Sequence, residues 1–196
     1  YANGSARNAV NTKISLGKLR SAVRTLNKNK CRKKTSILAP SVNYKTQAIE
    51  AAYVAVCHTD LEPDIRDLAG FVPVSQYGSR QPICPQEFGS VENVRFITTT
   101  IATPFADAGG LDGDAVLSTT GTNADVYPVL IFGEDAYGTV ALKGKDSAEI
   151  LVRNPGKPEK GNELGQTGSV GWKGWHVAAR LNEAWMVRLE VAATLL

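Results

Sequence analysis

The segment at residues 185–193 limits the folds open to this chain more than any other feature. Apolar side chains at positions 185, 187, 189 and 191 alternate there with more polar ones. Because successive side chains of a strand point to opposite faces, this period of two predicts a half-buried strand. We expect it to pair with residues 170–181 as an antiparallel hairpin, joined by the turn residues Asn182 and Glu183.

The alternation also divides the side chains of this strand between two faces. Val187, Leu189 and Val191 are expected to pack against a helix, whereas Arg188 and Glu190 are expected to face solvent or a neighbouring molecule. Three aromatic residues near this strand are interpreted as core or interface anchors, because large rings dominate both kinds of contact. They are Trp172, Trp175 and Trp185.

Two amphipathic helices are predicted in the first 70 residues. The first begins after Ser15, a favourable N-cap, and its apolar residues recur at helical spacing. These are Leu16, Leu19, Val23 and Leu26. The second covers residues 60–69, with Asp60 as its N-cap and Gly70 as its terminating glycine.

Short apolar and β-branched runs predict further strands at residues 51–57, 91–101, 126–132 and 149–153. Helices and strands do not alternate regularly, so the expected class is α+β. The chain has 196 residues, of which 43% are hydrophobic, enough to bury a core without disulfides.

A glycine-rich stretch at residues 102–124 has no helical or strand periodicity. Loops of this length are uncommon unless they carry function or contact a partner. We therefore expect a surface loop against a neighbouring subunit, and deletion of residues 109–114 is expected to spare folding and impair assembly. Asp107, Asp112 and Asp114 are interface candidates; they lack the ligand spacing of an EF-hand, so chelators are expected not to affect stability.

The charge of the chain is divided very unevenly along its length. Residues 1–49 contain eleven Lys or Arg and no Asp or Glu, while the remainder has a net charge of 11 − 19 = −8. Five of these cations form a basic patch that consists of Lys28, Lys30, Arg32, Lys33 and Lys34. The asymmetry predicts either an electrostatic match between copies or a basic face toward a polyanion, with a solvated helix face as the alternative. No aromatic residue interrupts the patch, which disfavours base-specific recognition.

No catalytic residue, cofactor-binding residue or metal ligand is predicted. The glycine-rich segments lack the lysine and hydroxyl of a phosphate-binding loop, and no GxSxG elbow is present. Cys57 and His58 are adjacent in a strand, so their side chains point to opposite faces and do not form a nucleophile–base pair. No apolar run approaches the roughly 20 residues that a membrane helix needs.

Six stretches of the sequence together resemble one known family. They are residues 11–26 (NTKISLGKLRSAVRTL), 38–44 (LAPSVNY), 53–70 (YVAVCHTDLEPDIRDLAG), 71–78 (FVPVSQYG), 120–138 (TGTNADVYPVLIFGEDAYG) and 171–193 (GWKGWHVAARLNEAWMVRLEVAA). Taken together, they are similar to the major capsid proteins of tailed bacteriophages, in the branch named after coliphage N-four. The wider family has the Hong Kong 97-like capsid fold.

The resemblance implies an α+β subunit with an axial domain and part of a peripheral domain. Residues 1–45 would form their junction, residues 46–150 an axial-type domain, and residues 151–196 return strands to a peripheral-type sheet. The N-terminal arm, extended loop and spine helix of that family are not recognisable, which leads us to expect that an N-terminal portion is missing from this sequence.

The function implied by the resemblance is that of a structural coat protein which self-assembles into an icosahedral shell around the packaged genome. Its partners would be copies of itself in hexamers and pentamers, with packaged DNA bound only nonspecifically, and with a cement protein, a scaffold and a portal as further candidates. The expected location is the virion capsid, assembled in the host cytoplasm. The alternatives are a nucleic-acid-binding module that uses the basic segment, and a thiol or metal hydrolase.

Overall fold

A computed structural model describes residues 1–38, 46–113, 115–139, 148–156, 158 and 160–196. The described chain is mixed α+β, which confirms the predicted class, and most of its regular structure is sheet. Its two α-helices are α1 (Leu16–Lys28) and α2 (Glu62–Arg66). Its strands are β1 (Lys34–Leu38), β2 (Thr46–Cys57), β3 (Phe71–Pro73), β4 (Glu87–Val91), β5 (Val94–Thr98), β6 (Val126–Phe132), β7 (Tyr137–Thr139), β8 (Ala148–Arg153), β9 (Ser169–Gly174), β10 (Ala178–Arg180) and β11 (Met186–Ala192).

A seven-stranded sheet organises the core, in the order β11-β6-β2-β5-β4-β3, with β1 also paired to β2. β2 is antiparallel to β6 and parallel to β5. The register places Tyr53 opposite Val94 and Val56 opposite Leu130. Tyr53, Phe96 and Ile131 are fully buried. β2 is therefore a central strand, as its long apolar run predicts.

Helix α1 begins and packs as its sequence predicts. The Ser15 hydroxyl accepts a hydrogen bond from the Lys18 amide at 3.4 Å, which satisfies one of the unpaired N–H groups of the first turn. Leu19 and Leu26 lie on the buried face and join the core that contains Leu189. The amphipathic stripe therefore fixes which side of α1 faces the sheet.

The second predicted helix is shorter than expected and has a different cap. A 3-10 turn at Thr59–Leu61 precedes α2, and the His58 ring nitrogen Nδ1 accepts from the Asp60 amide at 3.2 Å. The Asp60 carboxylate instead accepts from the Tyr127 hydroxyl at 2.9 Å, so its predicted role as N-cap is wrong. Gly70 has a φ of +82°, the left-handed conformation expected of a terminating glycine.

The predicted C-terminal hairpin is wrong. β11 pairs with β6 along its whole length, with Leu189 opposite Val129, whereas β9 pairs with β8 and β10 with β7. Residues 170–181 thus form two short strands rather than one. Period-two alternation identifies the faces of a strand but contains no information about its partner.

Residues 91–101, predicted as a single strand, contain a tight turn. β4 and β5 form an antiparallel hairpin around Glu92, which has a φ of +51°. A non-glycine residue in this conformation is uncommon, and no turn glycine indicates the hairpin in the sequence.

The contacts of the chain divide it into two compact units. The first contains Tyr1–Ala136 with Asn182–Leu196, and the second contains Tyr137–Leu181. The first unit holds the seven-stranded sheet, and the second holds the two-stranded sheets β7–β10 and β8–β9. Neither boundary expected from the sequence, at residues 45/46 and 150/151, coincides with a boundary of these units.

Candidate functional site and interaction surfaces

The long glycine-rich segment packs against its own unit. Isolated bridges join Phe105 to Val126, Leu111 to Asn123 and Val116 to Thr194. Gly109 is buried, and its amide donates to the Ala124 carbonyl at 2.9 Å. Backbone hydrogen bonds of Phe105, Gly109 and Leu117 are made within the unit, so part of this segment packs into it, whereas the expected contact with a neighbouring subunit stays a prediction. Deletion of residues 109–114 is now expected to impair folding.

The described aspartates of this segment, Asp107 and Asp112, form hydrogen bonds within the unit. Asp107 accepts from the Thr120 hydroxyl at 2.7 Å, and its own amide donates to the Asp125 carboxylate at 2.9 Å. The Asp112 amide donates to the Thr122 carbonyl at 3.3 Å. Asp114 lies outside the described residues. Within the described part of the chain, no three potential ligands converge on a metal site. The interface role of Asp107 and Asp112 stays a prediction.

Glu190 is an internal residue, which corrects its expected exposure. Only 2% of Glu190 is exposed, and its carboxylate accepts two hydrogen bonds from the Arg7 guanidinium, both at 2.8 Å. Arg188 contacts the same carboxylate at 2.9 Å while half of its own side chain is exposed. The N-terminal segment is thus tied to β11 by a charge-assisted pair. Arg188 is accessible as predicted, and its contact with a neighbouring subunit stays a prediction.

This pair gives a testable dependence of stability on pH. The Arg7 hydrogen bonds lower the pKa of Glu190 below its ordinary value. A carboxylate whose pKa is lowered in the folded state contributes stability above its unfolded pKa, and this contribution is lost as the pH falls through the folded pKa. We expect Glu190→Gln to lower the Tm at neutral pH, with a difference from the parent protein that shrinks below about pH 4.

Thermal melting of both proteins from neutral to acid pH measures this difference directly. A Tm difference that is constant or grows on acidification would show that the charge of Glu190 does not stabilise the fold.

The second unit presents an apolar ribbon face, which we define as Ile150, Val152, Val170 and Trp172. The register pairs Ile150 with Trp172 and Val152 with Val170, so all four side chains share one face of the β8–β9 ribbon. Their exposed fractions are 72%, 60%, 78% and 78%, respectively. On the opposite face, Glu149 and Lys173 form an ion pair at 3.0 Å. The ribbon is therefore amphipathic, and its apolar side is uncovered in a single copy.

The three tryptophans have different environments. Trp172 and Trp175 are exposed, by 78% and 51%. Trp185 packs against the core, and its ring N–H donates to the Asn29 carbonyl at 3.0 Å. Trp185 is thus partly buried against the core, which agrees with its interpretation as an anchor, while the interface role of Trp172 and Trp175 stays a prediction. The apolar ribbon face is not among the expected surfaces, although its residues recur at a spacing of two on each strand.

The basic patch lies at the end of α1 and in the segment that follows. Lys28 is the last residue of α1, and Lys30 has a φ of +55°, which turns the chain sharply. Cys31 is buried beyond this turn, and its amide donates to the Leu26 carbonyl at 3.0 Å. This anchor fixes the backbone, so the cations on both sides of Cys31 project from an ordered turn.

Cys57 and His58 do not form a catalytic couple. Burial raises the pKa of the Cys57 thiol to about 12, the opposite of what a thiolate nucleophile needs. The Cys57 thiol donates to the Ile97 carbonyl at 3.7 Å, while the His58 ring packs against Tyr127 with centroids 5.5 Å apart. These contacts disfavour the thiol hydrolase alternative.

A shallow polar cleft of about 190 Å³ lies within the second unit. Its described lining includes Arg153, Asn154, Lys160 and Asn162, with neither a carboxylate nor an imidazole among the described lining residues. The cleft therefore offers no acid–base pair for catalysis.

Comparisons with known proteins do not assign this chain to a family. No family model matches the sequence, and no curated protein is significantly similar to it.

Among the described residues, no helix combines the length and apolar character that crossing a bilayer requires. What the structure defines is thus a mixed α+β chain in two units, with two prominent exposed surfaces: the apolar ribbon face and the basic patch.

Proposed function

We propose that the chain is a structural coat subunit that self-assembles into an icosahedral viral shell. The resemblance of its six sequence stretches to tailed-phage major capsid proteins suggests this role. It would carry the Hong Kong 97-like fold, with copies of itself in hexamers and pentamers as its principal partners and the virion capsid as its location. Packaged DNA, a cement protein, a scaffold and a portal are further candidate partners.

The observation that carries the proposal is the apolar ribbon face. A two-stranded ribbon is only marginally stable by itself, and contiguous exposed apolar side chains mark interaction sites. Ile150, Val152, Val170 and Trp172 together expose the kind of surface that a subunit buries when it assembles. The charged side of the same ribbon, with its Glu149–Lys173 ion pair, is suited to remain in water.

The hydrolase alternative has less support. The thiol of Cys57 is buried, and within the described residues no group of potential metal ligands converges. A shell subunit needs neither a reactive thiol nor a metal site, since it functions through its shape and its contact area with other copies.

Two substitutions on neighbouring positions of β8 test the proposal. Ile150→Asp places a carboxylate on the apolar ribbon face, whereas Leu151→Asp places the same group on the opposite face. We expect Ile150→Asp to reduce the assembled fraction in sedimentation by at least about tenfold, because the assembled state would bury a charge and lose an apolar contact.

Leu151→Asp is the matched control and is expected to assemble within about twofold of the parent, because its face stays in water. Equal assembly of the Ile150→Asp variant and the parent would contradict the use of this face. Equal loss in both variants would indicate a general fault in the ribbon instead.

A further inference from the structure

The cations of the basic patch lack the internal partners that nearby cations have. Arg7 pairs with Glu190 at 2.8 Å, and Lys13 lies 3.5 Å from Asp67. Arg20 pairs with Glu92. By contrast, within the described residues none of the five patch cations forms an ion pair. The unpaired positive charge of the N-terminal segment therefore includes Lys18 and Arg24 on α1, which form no ion pair among the described residues, and it is densest at the end of the helix.

The patch is exposed and held on an ordered turn. Lys28, Lys30 and Arg32 are exposed, while Lys33 and Lys34 are half-buried. The Lys33 ammonium lies 5.9 Å from the centre of the Tyr53 ring, a fully buried side chain of the core. The backbone that carries these cations is therefore already ordered before a ligand binds, and this lowers the entropic cost of binding.

The acidic groups near the patch are few. Glu134 and Asp135 form the turn beside it, and the Glu134 amide donates to the Arg32 carbonyl at 2.9 Å. Glu183 precedes Ala184, whose carbonyl accepts from the Asn29 side chain at 2.8 Å. Five cations against these three carboxylates leave a local excess of +2. The patch therefore keeps a net positive field after its neighbours are counted.

Acids elsewhere in the chain are largely committed to internal partners. Among the described residues, eight of them form ion pairs with Lys or Arg within the same unit: Glu50 with Arg80, Glu62 with Arg66, Asp64 and Asp67 with Lys13, Glu87 with Arg95, Glu92 with Arg20, Glu149 with Lys173 and Glu190 with Arg7. Residues 50–196 nevertheless have a net charge of −8, so docking of the patch on a second copy is an outcome that the test below distinguishes. A separate polyanion fits the unpaired cations better.

We propose that the basic patch is a docking surface for the phosphate backbone of nucleic acid, with no base readout. Lysine and arginine bind phosphates as charges, and the patch has no aromatic residue on which bases would stack. The proposal names a partner for the shell subunit and indicates which surface would face a packaged genome. It does not require the shell, because the patch is complete in one copy.

The test is fluorescence anisotropy of the full chain with labelled duplex DNA of about 24 base pairs across a range of NaCl concentrations. The patch variant combines Lys28→Gln, Lys30→Gln and Arg32→Gln. It is expected to bind about a hundredfold more weakly near 0.1 M salt, and to reduce the slope of log K against log salt by about 2.7, or 0.9 per lost phosphate contact. Two duplexes of unrelated sequence should bind within about twofold of each other.

The control variant removes the same charge elsewhere. It combines Arg20→Gln, Arg80→Gln and Lys173→Gln, three exposed cations that each have a carboxylate partner. Equal loss of DNA binding in both variants would overturn the proposal, because net charge alone would then explain it. An unchanged salt slope in the patch variant would also overturn it.

Sedimentation of the same variants without DNA separates this proposal from the shell proposal. If the patch variant loses self-association while DNA binding is unaffected, the patch docks an acidic surface of another copy, and the nucleic-acid proposal is wrong. If DNA binding is lost while assembly is normal, both proposals are supported.

Discussion

Leu189→Asp should unfold the first unit of the chain. Leu189 lies on β11 opposite Val129, is 5% exposed, and belongs to the core that includes Leu19 and Leu26 of α1. An aspartate there would bury a carboxylate among apolar side chains without a partner, which costs several kcal/mol. Because ordinary domains are stable by only about 5–15 kcal/mol, we expect loss of soluble expression or of cooperative melting.

The adjacent residue is the matched control. Arg188 is half exposed, and its ion pair with Glu190 is secondary to the two hydrogen bonds from Arg7. Arg188→Ala should therefore fold, at a cost of no more than about 1 kcal/mol. If Leu189→Asp is folded like the parent while Arg188→Ala aggregates, the assigned faces of β11 are wrong. On the proposed function, Arg188→Ala would impair assembly more than stability.

Gly109→Ala should have the second large effect. A Cβ atom at Gly109 would lie 2.3 Å from the Val10 carbonyl oxygen and 2.7 Å from the Ala124 carbonyl oxygen. Both obstacles are backbone atoms, so no side-chain rotation relieves the contact. We expect a loss of about 3 kcal/mol, the upper part of the range for overpacking, and a fall in Tm of several degrees.

Gly110→Ala is the control for this substitution. The nearest atom to a Cβ at Gly110 is the Ala9 carbonyl oxygen at 3.4 Å, an ordinary contact distance. This variant should melt within a degree or two of the parent, or slightly higher, because alanine reduces the entropy of the unfolded chain. Similar Tm values for Gly109→Ala and the parent would mean that the segment does not pack against residue 10 as described.

Local elements of this chain could be predicted from local patterns, whereas their pairing could not. The Ser15 cap and the stripe of Leu19 and Leu26 define α1 through neighbours only three or four residues apart. The partner of β11 is different, because β6 lies far away in the sequence and both β6 and β9 contain apolar residues. Pairing is decided by total burial in the sheet, which a local pattern does not encode.

The same limit explains the error at Glu190. The side chain is expected to be exposed because it alternates with the apolar residues of the strand and so lies on the more polar face. Its partner Arg7 is 183 positions earlier in the chain, so the pair that makes burial tolerable has no local sequence signature. Gly109 is a similar case, since its close contacts with Val10 and Ala124 depend on tertiary packing.

The candidate surfaces were predictable to different degrees. Charge is a property of composition, so the basic patch is visible in the sequence. That its described residues form no ion pair can be seen only in the folded structure. The apolar ribbon face depends on the register that sets Ile150 opposite Trp172. Once β8 and β9 are known to pair, the spacing of two on each strand is sufficient to define it.

Negative-stain electron microscopy of the purified protein tests the central claim most directly. The coat-protein account predicts closed shells of uniform diameter, which should be absent from the Ile150→Asp variant and present in the Leu151→Asp variant. Monodisperse single subunits from the unaltered protein, under conditions where it is folded and concentrated, would contradict the account.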